Sequence, residues 1–92
     1  MNKNSDVLVI VPVFNEKINL NLVINELKCF FENILIVDDG STDSSIKIIS
    51  SLEVNYVRHS LNLGQGAAIE SGFNFLLENT NCNYGITFDG DG

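Results

Sequence analysis

The chain has no tryptophan, one proline and one histidine, and only five basic residues stand against twelve acidic ones. At a net charge of −7 it lacks the basic stripe with which proteins follow nucleic-acid phosphates, so we predict no nucleic-acid partner. The longest apolar run, Val7 to Phe14, is far shorter than the roughly 20 residues that span a bilayer. The first six residues lack a signal-peptide pattern. We therefore predict a cytoplasmic location, with any membrane association arising only from a region downstream.

Cysteine is also scarce. Cys29 and Cys82 are far apart in the sequence, without a C-x-x-C spacing or a histidine cluster nearby. This pattern favours two reduced thiols over a metal site or a disulfide. With 92 residues, of which 45% are hydrophobic, the chain is long enough for one small domain, and we assign residues 1–92 to it.

Apolar runs alternate with segments of helical spacing. The predicted strands are Val7–Val11, which we expect Pro12 to end, Ile34–Val37, Val54–Val57 and Tyr84–Phe88. The predicted helices run from an N-cap at Asn15 to Phe31, from Ser41–Ser44 to Leu52, and along Ala68–Leu77. Strands joined by helices require crossover connections, so the order βαβαβαβ predicts a parallel sheet covered by helices. The predicted fold class is α/β, a Rossmann-like three-layer αβα sandwich.

Acidic residues follow three of the predicted strands. Ligands of parallel sheets bind outside the carboxyl ends of the strands, which selects Pro12–Glu16, Asp38–Asp43 and Asp89–Gly92. Asp89 and Asp91 are two residues apart in an extended segment, so both carboxylates point to one side and are suited to a divalent cation.

The other two segments are open to more than one interpretation. Asp38 and Asp39 could accept hydrogen bonds from a ligand, or serve only to cap the following helix. Phe14 could line a flat base, or the segment around it could be no more than a strand end and a helix start.

Three further features are interpreted structurally. Leu63–Ala68 is glycine-rich but lacks the third glycine of a dinucleotide fingerprint, so we predict a tight loop there. His59 is predicted to be a surface residue at a strand exit and not an acid or base. Gly72, inside a helical pattern, is predicted to allow close packing.

Taken together, the motifs resemble an inverting, nucleotide-sugar-dependent glycosyltransferase of family 2 with the A-type fold, in its polyprenyl- or dolichyl-phosphate mannose or glucose synthase-like branch. The matching stretches are Val11–Glu16, Ile36–Asp43, Asn62–Ala68 with Gly72, and Thr87–Asp91. They occur in the family's order across almost the whole chain.

The resemblance implies the N-terminal half of a nucleotide-diphospho-sugar transferase fold and a site for a UDP- or GDP-linked sugar. It implies the following roles: Pro12, Phe14 and Glu16 line the nucleoside site, Val37 and Asp39 hold the base, and Asp89-Gly90-Asp91 is the D-x-D motif. In that motif Asp91 would lie nearest to a Mg²⁺ or Mn²⁺ ion and Asp89 towards the ribose and diphosphate. Gly90 occupies a position where the family often has alanine.

The resemblance also implies an acceptor such as a polyprenyl phosphate or a cell-surface glycan, and a catalytic base beyond the D-x-D motif. We therefore name no catalytic residue and expect no sugar transfer by these 92 residues alone. A sheet that ends after its fourth strand should expose an apolar edge, and from this we expect self-association.

Other classes remain open from the sequence. The chain could be a non-catalytic nucleotide-binding or oligomerising domain. A haloacid-dehalogenase-like phosphatase also places D-x-D-G after a strand, but there the motif usually opens the domain. A receiver domain shares the acidic pair, without a matching phospho-acceptor and lysine arrangement in this chain.

Overall fold

The computed structural model describes residues 4–14, 20–40 and 52–88. Its elements are β1 (Asn4–Val13), α1 (Leu20–Lys28), β2 (Phe31–Asp38), β3 (Asn55–Arg58), α2 (Gln65–Asn79) and β4 (Tyr84–Thr87). The four strands form one sheet in the order β3-β2-β1-β4, and every neighbouring pair is parallel. The predicted α/β class with a parallel sheet is therefore confirmed. The predicted helix between Ser41 and Leu52 lies almost entirely outside the described residues.

The sheet is covered on both faces because β1 and β2 are apolar at consecutive positions. One face packs against α1 and includes Val9, Val11, Val13, Leu20, Ile24, Leu27, Ile34, Ile36 and Leu52. The other face packs against α2 and includes Leu8, Ile10, Leu35, Val37, Ala68 and Leu76. Alternate residues of a strand thus enter two separate cores, as expected of a strand buried on both sides. The result is the predicted three-layer sandwich.

Pro12 does not end β1, contrary to our expectation. It lies within the strand and pairs with Val37 of β2. In a parallel strand, residues two apart face the same neighbour, and Ile10 accepts a hydrogen bond from Phe88 N–H on the β4 side. The missing N–H of Pro12 therefore faces the β4 side beyond the last paired residue, Thr87, where no ladder bond is lost.

The first helix is shorter than predicted. It ends at Lys28, and Phe31 is the first residue of β2 instead of the last residue of the helix. Phe30 closes a turn with a hydrogen bond from its N–H to the carbonyl of Leu27, while its own carbonyl accepts from Asn4 N–H. The helical spacing of Phe30 and Phe31 was misleading, because the hydrogen bond between Asn4 N–H and the Phe30 carbonyl already joins this segment to β1, and β2 starts at Phe31.

Helix α2 packs closely on β1 at Gly72. A Cβ atom on Gly72 would come within 2.5 Å of Ile10 Cγ2, so only glycine fits without repacking. This agrees with the close packing predicted for Gly72. Cys29 and Cys82 are both free thiols. Within the described part of the chain, neither helix is long and apolar enough to span a membrane.

Candidate functional site

The carboxyl ends of β1, β2 and β3 are tied together by backbone hydrogen bonds just beyond the ladder. Asp39 N–H donates to the carbonyl of Val13 at 2.8 Å, and His59 N–H donates to the carbonyl of Asp38 at 2.8 Å. On the other side of β1, Phe88 N–H donates to the carbonyl of Ile10 at 2.9 Å. The strand ends that precede the three predicted polar segments therefore lie along one edge of the sheet, where ligands of such folds bind.

Asp39 is the centre of this edge. Its side chain is 6% exposed and accepts three hydrogen bonds. Oδ1 lies 2.7 Å from His59 Nδ1 and accepts from Leu63 N–H at 3.0 Å, while Oδ2 accepts from Gly64 N–H at 2.8 Å. A carboxylate offers about four acceptor positions, so these donors leave about one position unused.

His59 connects Asp39 to helix α2. Its Nε2 lies 2.8 Å from the hydroxyl oxygen of Ser71, and its side chain is only 10% exposed. The prediction that His59 is a surface residue is therefore wrong. The sequence shows it as an isolated histidine after a strand, and only the approach of β2 and α2 from either side encloses the ring.

Two opposing effects act on the Asp39 carboxyl. Burial raises its pKa, because the charged form loses hydration. The hydrogen bond from His59, the N–H groups of Leu63 and Gly64 and the charge of a His59 cation act in the other direction and prevail. The pKa of Asp39 is therefore held below its ordinary value, and the group is an ionised, acceptor-only carboxylate at neutral pH.

The loop between β3 and α2 packs closely against the backbone at Gly40, just after β2. Gly40 has a φ of +79°, and a Cβ there would lie 2.7 Å from backbone atoms of Leu61 and Asn62. Gly64, at φ +96°, is the N-cap of α2 and has no side chain to cap the helix. Asp39 supplies the negative charge near this helix terminus instead, which the helix dipole favours. The two glycines therefore allow the close approach that brings the backbone donors to Asp39.

Asp38 faces the opposite side of the sheet from Asp39. It is 1% exposed, and its Oδ2 lies 3.5 Å from Nε of Arg58, its partner across the β2–β3 ladder. The two neighbouring carboxylates thus have different environments. Asp38 forms an ion pair within the sheet, and Asp39 lies at the edge where the three strands end.

The predicted site residues are only partly described. Phe14 is 42% exposed beside the strand ends, Pro12 is half-buried, and Val37 is fully buried in the core under α2. Glu16, Asp89, Gly90 and Asp91 lie outside the described residues. In the described part of the chain, no group of three or more histidine, cysteine, aspartate or glutamate side chains could hold a metal ion.

Sequence reasoning missed the participation of Leu63, Gly64 and Ser71. The pair Gly64 and Gly66 was a usable signal, since a glycine before a helix commonly lets the backbone approach an anion. The anion here is the protein's own Asp39. A polar groove of about 800 Å³ lies at the opposite edge of the sheet, near Ser5, Asn33, Asn55 and Thr80. Ligands of parallel sheets do not normally bind at that edge, so we do not assign it to the site.

Comparison with known proteins agrees with this architecture. The sequence profile of Glycosyl transferase family 2 matches residues 8–92. The chain is 32% identical over 104 residues to the UDP-N-acetylglucosamine–dolichyl-phosphate N-acetylglucosaminyltransferase of Methanococcus voltae, covering 94% of this chain and 41% of that protein. It is 35% identical over 78 residues to the polyprenol monophosphomannose synthase of Mycolicibacterium smegmatis, covering 76% of this chain and 29% of that protein.

A solved structure shares the fold. Glucosyl-3-phosphoglycerate synthase from Mycobacterium tuberculosis, in complex with UDP, superposes with a TM-score of 0.70 at 19% identity, covering 94% of this chain and 34% of that one. This likeness shows the fold, which is that of the A-type glycosyltransferase class. The chain belongs to glycosyl transferase family 2, as its resemblance implied. It spans less than half the length of these relatives.

Proposed function

We propose that this chain is the nucleotide-binding part of a glycosyltransferase that uses a UDP- or GDP-linked sugar. The observation that carries the proposal is Asp39. It is an ionised and almost fully buried carboxylate at the carboxyl edge of the sheet, with about one acceptor position left after three internal hydrogen bonds. Such a group suits an N–H donor of a nucleobase, as present in uracil and guanine.

The neighbouring residues have supporting roles in this proposal. Phe14 presents an exposed ring that can pack against a flat base, and Pro12 shapes the strand end before it. Val37 is fully buried, so it would support the turn that carries Asp39 and would not offer side-chain surface to the ligand. We also assign Glu16 to the nucleoside site, and this assignment rests only on the family resemblance.

Asp89 and Asp91 are the residues that would hold a divalent cation. Two carboxylates suit Mg²⁺ or Mn²⁺, since both ions prefer oxygen ligands. When bound, such an ion neutralises the charge that develops on a departing nucleoside diphosphate. Gly90 between them would let the backbone pass close to the diphosphate.

The reaction type and the acceptor are proposed from the family resemblance. We propose inverting transfer to an acceptor hydroxyl or phosphate, with a polyprenyl phosphate or a cell-surface glycan as the acceptor class. We name no catalytic base and expect no sugar transfer by the 92 residues alone. A cytoplasmic location stays a prediction, as does the alternative of a non-catalytic nucleotide-binding domain. An assay of this chain and a longer version with nucleotide sugars separates the two.

Calorimetric titration tests the nucleotide site. We expect UDP or GDP to bind in the presence of Mn²⁺, and Asp39→Ala to weaken binding about tenfold to a hundredfold, as for loss of a hydrogen bond to a charged group. Glu78→Gln, which removes an exposed carboxylate at the far end of α2, is the control and should bind like the wild type. Unchanged affinity of Asp39→Ala would refute the assignment of Asp39 to the base.

If UDP binds, a modified ligand identifies the contact. Uridine diphosphate methylated at N3 lacks the donor that Asp39 would accept, so we expect it to bind the wild type much more weakly than UDP. With Asp39→Ala the penalty for methylation should shrink, because the partner of the lost donor is already gone. An equal penalty in both proteins would place the base elsewhere.

A further inference from the structure

His59 and Ser71 form a partly buried chain of side-chain contacts that the proposed function leaves unused. His59 Nδ1 lies 2.7 Å from Asp39 Oδ1, and His59 Nε2 lies 2.8 Å from the Ser71 hydroxyl oxygen. The three residues come from the end of β2, the end of β3 and the second turn of α2. The chain therefore connects the edge of the sheet with the helix packed on it.

The protonation of this chain follows from Asp39. An ionised carboxylate only accepts, so His59 Nδ1 carries a proton and donates it to Oδ1. Leu63 N–H donates to the same oxygen, which completes its acceptor capacity. Gly64 N–H uses one position on Oδ2. Rotation of the carboxylate would break these bonds together, so its orientation is set before any ligand arrives.

An arrangement of aspartate, histidine and serine at these distances also occurs in hydrolases. Ser71 does not fit that role. It is the seventh residue of α2, where backbone N–H groups are engaged in the helical ladder. An acyl-transfer site needs free donors beside the nucleophile to stabilise an oxyanion. The neighbouring helix backbone offers none, so the structure favours a role in orientation over one in bond making.

We propose that His59 and Ser71 are positioning residues that orient Asp39, leaving it one acceptor position for a nucleobase with an N–H donor. This inference rests on the proposed function of the Asp39 site. His59, together with Leu63 N–H, fills the acceptor positions of Oδ1. Ser71 holds the imidazole in the orientation in which Nδ1 can donate to that oxygen. Without the imidazole donor, only the backbone N–H groups of Leu63 and Gly64 would hold the carboxylate, one on each oxygen.

Two replacements of His59 distinguish a hydrogen-bonding role, in which the side chain orients Asp39, from a role in packing alone. In His59→Asn the side-chain amide reaches about as far as Nδ1 and can still donate to Asp39. In His59→Gln it reaches about as far as Nε2, so the donor to Asp39 is lost. We expect UDP to bind His59→Asn within about threefold of the wild type, and His59→Gln about tenfold more weakly.

Two further variants test the outer contact. Ser71→Ala should weaken binding severalfold, since the imidazole loses its second anchor. Asn74→Ala, an exposed position on the same helix, should bind like the wild type. Urea unfolding of each variant shows whether it is folded at the titration temperature. Equal affinities of the two His59 variants would overturn the proposal, because rescue by the Nδ1-like donor is its specific consequence.

A second readout does not depend on any ligand. The carboxyl carbon of Asp39 should titrate at a higher pH in His59→Gln than in the wild type or His59→Asn, and nitrogen-detected spectra should show a proton on His59 Nδ1. If the wild type binds neither UDP nor GDP, the proposed function fails, and this readout decides the positioning role alone. Identical carboxyl titration in all three proteins, or an unprotonated Nδ1, would overturn that role.

Discussion

Replacement of Asp39 by asparagine should lower the free energy of unfolding, by an amount that depends on pH. The side-chain shape is retained, but one acceptor oxygen becomes an NH₂ donor and the charge is lost. Three donors, from His59, Leu63 and Gly64, then share one oxygen with two acceptor positions. Gly64 N–H keeps a second acceptor, Asn62 Oδ1 at 3.0 Å, but the buried NH₂ group of the new side chain faces these donors and has no acceptor among them.

The expected magnitude follows from these bonds. A buried donor without a partner costs about 1–3 kcal/mol, and each remaining bond loses about 1 kcal/mol when its acceptor changes from charged to neutral. Removing a buried charge offsets part of this cost. We expect Asp39→Asn to lower the free energy of unfolding by about 2–4 kcal/mol at pH 7. Glu78→Gln, an exposed control, should change it by less than about 0.5 kcal/mol.

The pH dependence has a definite sign. Because the pKa of Asp39 is lower in the folded state than in the unfolded chain, the unfolded state binds more protons in acid, and stability rises with pH there. The contribution of Asp39 is complete above its unfolded pKa of about 3.9, and it is lost as the pH falls through the folded pKa. Urea unfolding of both proteins from pH 7 downwards should show a constant difference that shrinks below about pH 4. A difference independent of pH, or below about 0.5 kcal/mol at pH 7, would refute this reasoning.

Three further outcomes are expected. In urea unfolding, Gly40→Ala should lower the free energy of unfolding by at least about 2 kcal/mol, since a positive φ is unfavourable for an L residue and the new Cβ would lie 2.7 Å from backbone atoms. Gly66→Ala, where the Cβ would enter open space on α2, should leave the free energy of unfolding unchanged or raise it by up to about 1 kcal/mol. Gly72→Ala should be less stable than Gly66→Ala by at least about 1 kcal/mol, because its Cβ would overlap Ile10; equal stabilities would contradict this. Sedimentation at high concentration should show self-association through the exposed face of β4, reduced by Ile86→Lys, and a monomeric wild type would count against it.

The architecture was predictable because its signals are local. Apolar runs such as Ile34–Val37 are too continuous for a half-exposed strand, and helical spacing separates them, so a covered parallel sheet follows. Gly72 was interpreted correctly for a related reason, since glycine inside a helix implies a close neighbour. The ends of the elements were less predictable. Pro12 continues β1 and Phe31 starts β2 because of the strands with which they pair, and pairing partners cannot be read from the sequence pattern.

The site divides in the same way. That acidic segments follow parallel strands and meet at one edge could be predicted from the sequence, since it depends only on the order of strands and helices. The sequence could not show that Asp39 is held by Leu63 and Gly64, or that the His59 ring lies between Asp39 and Ser71. These contacts arise only in the folded chain, because they join residues 12 to 25 positions apart whose distances depend on how β3 and α2 pack on β2.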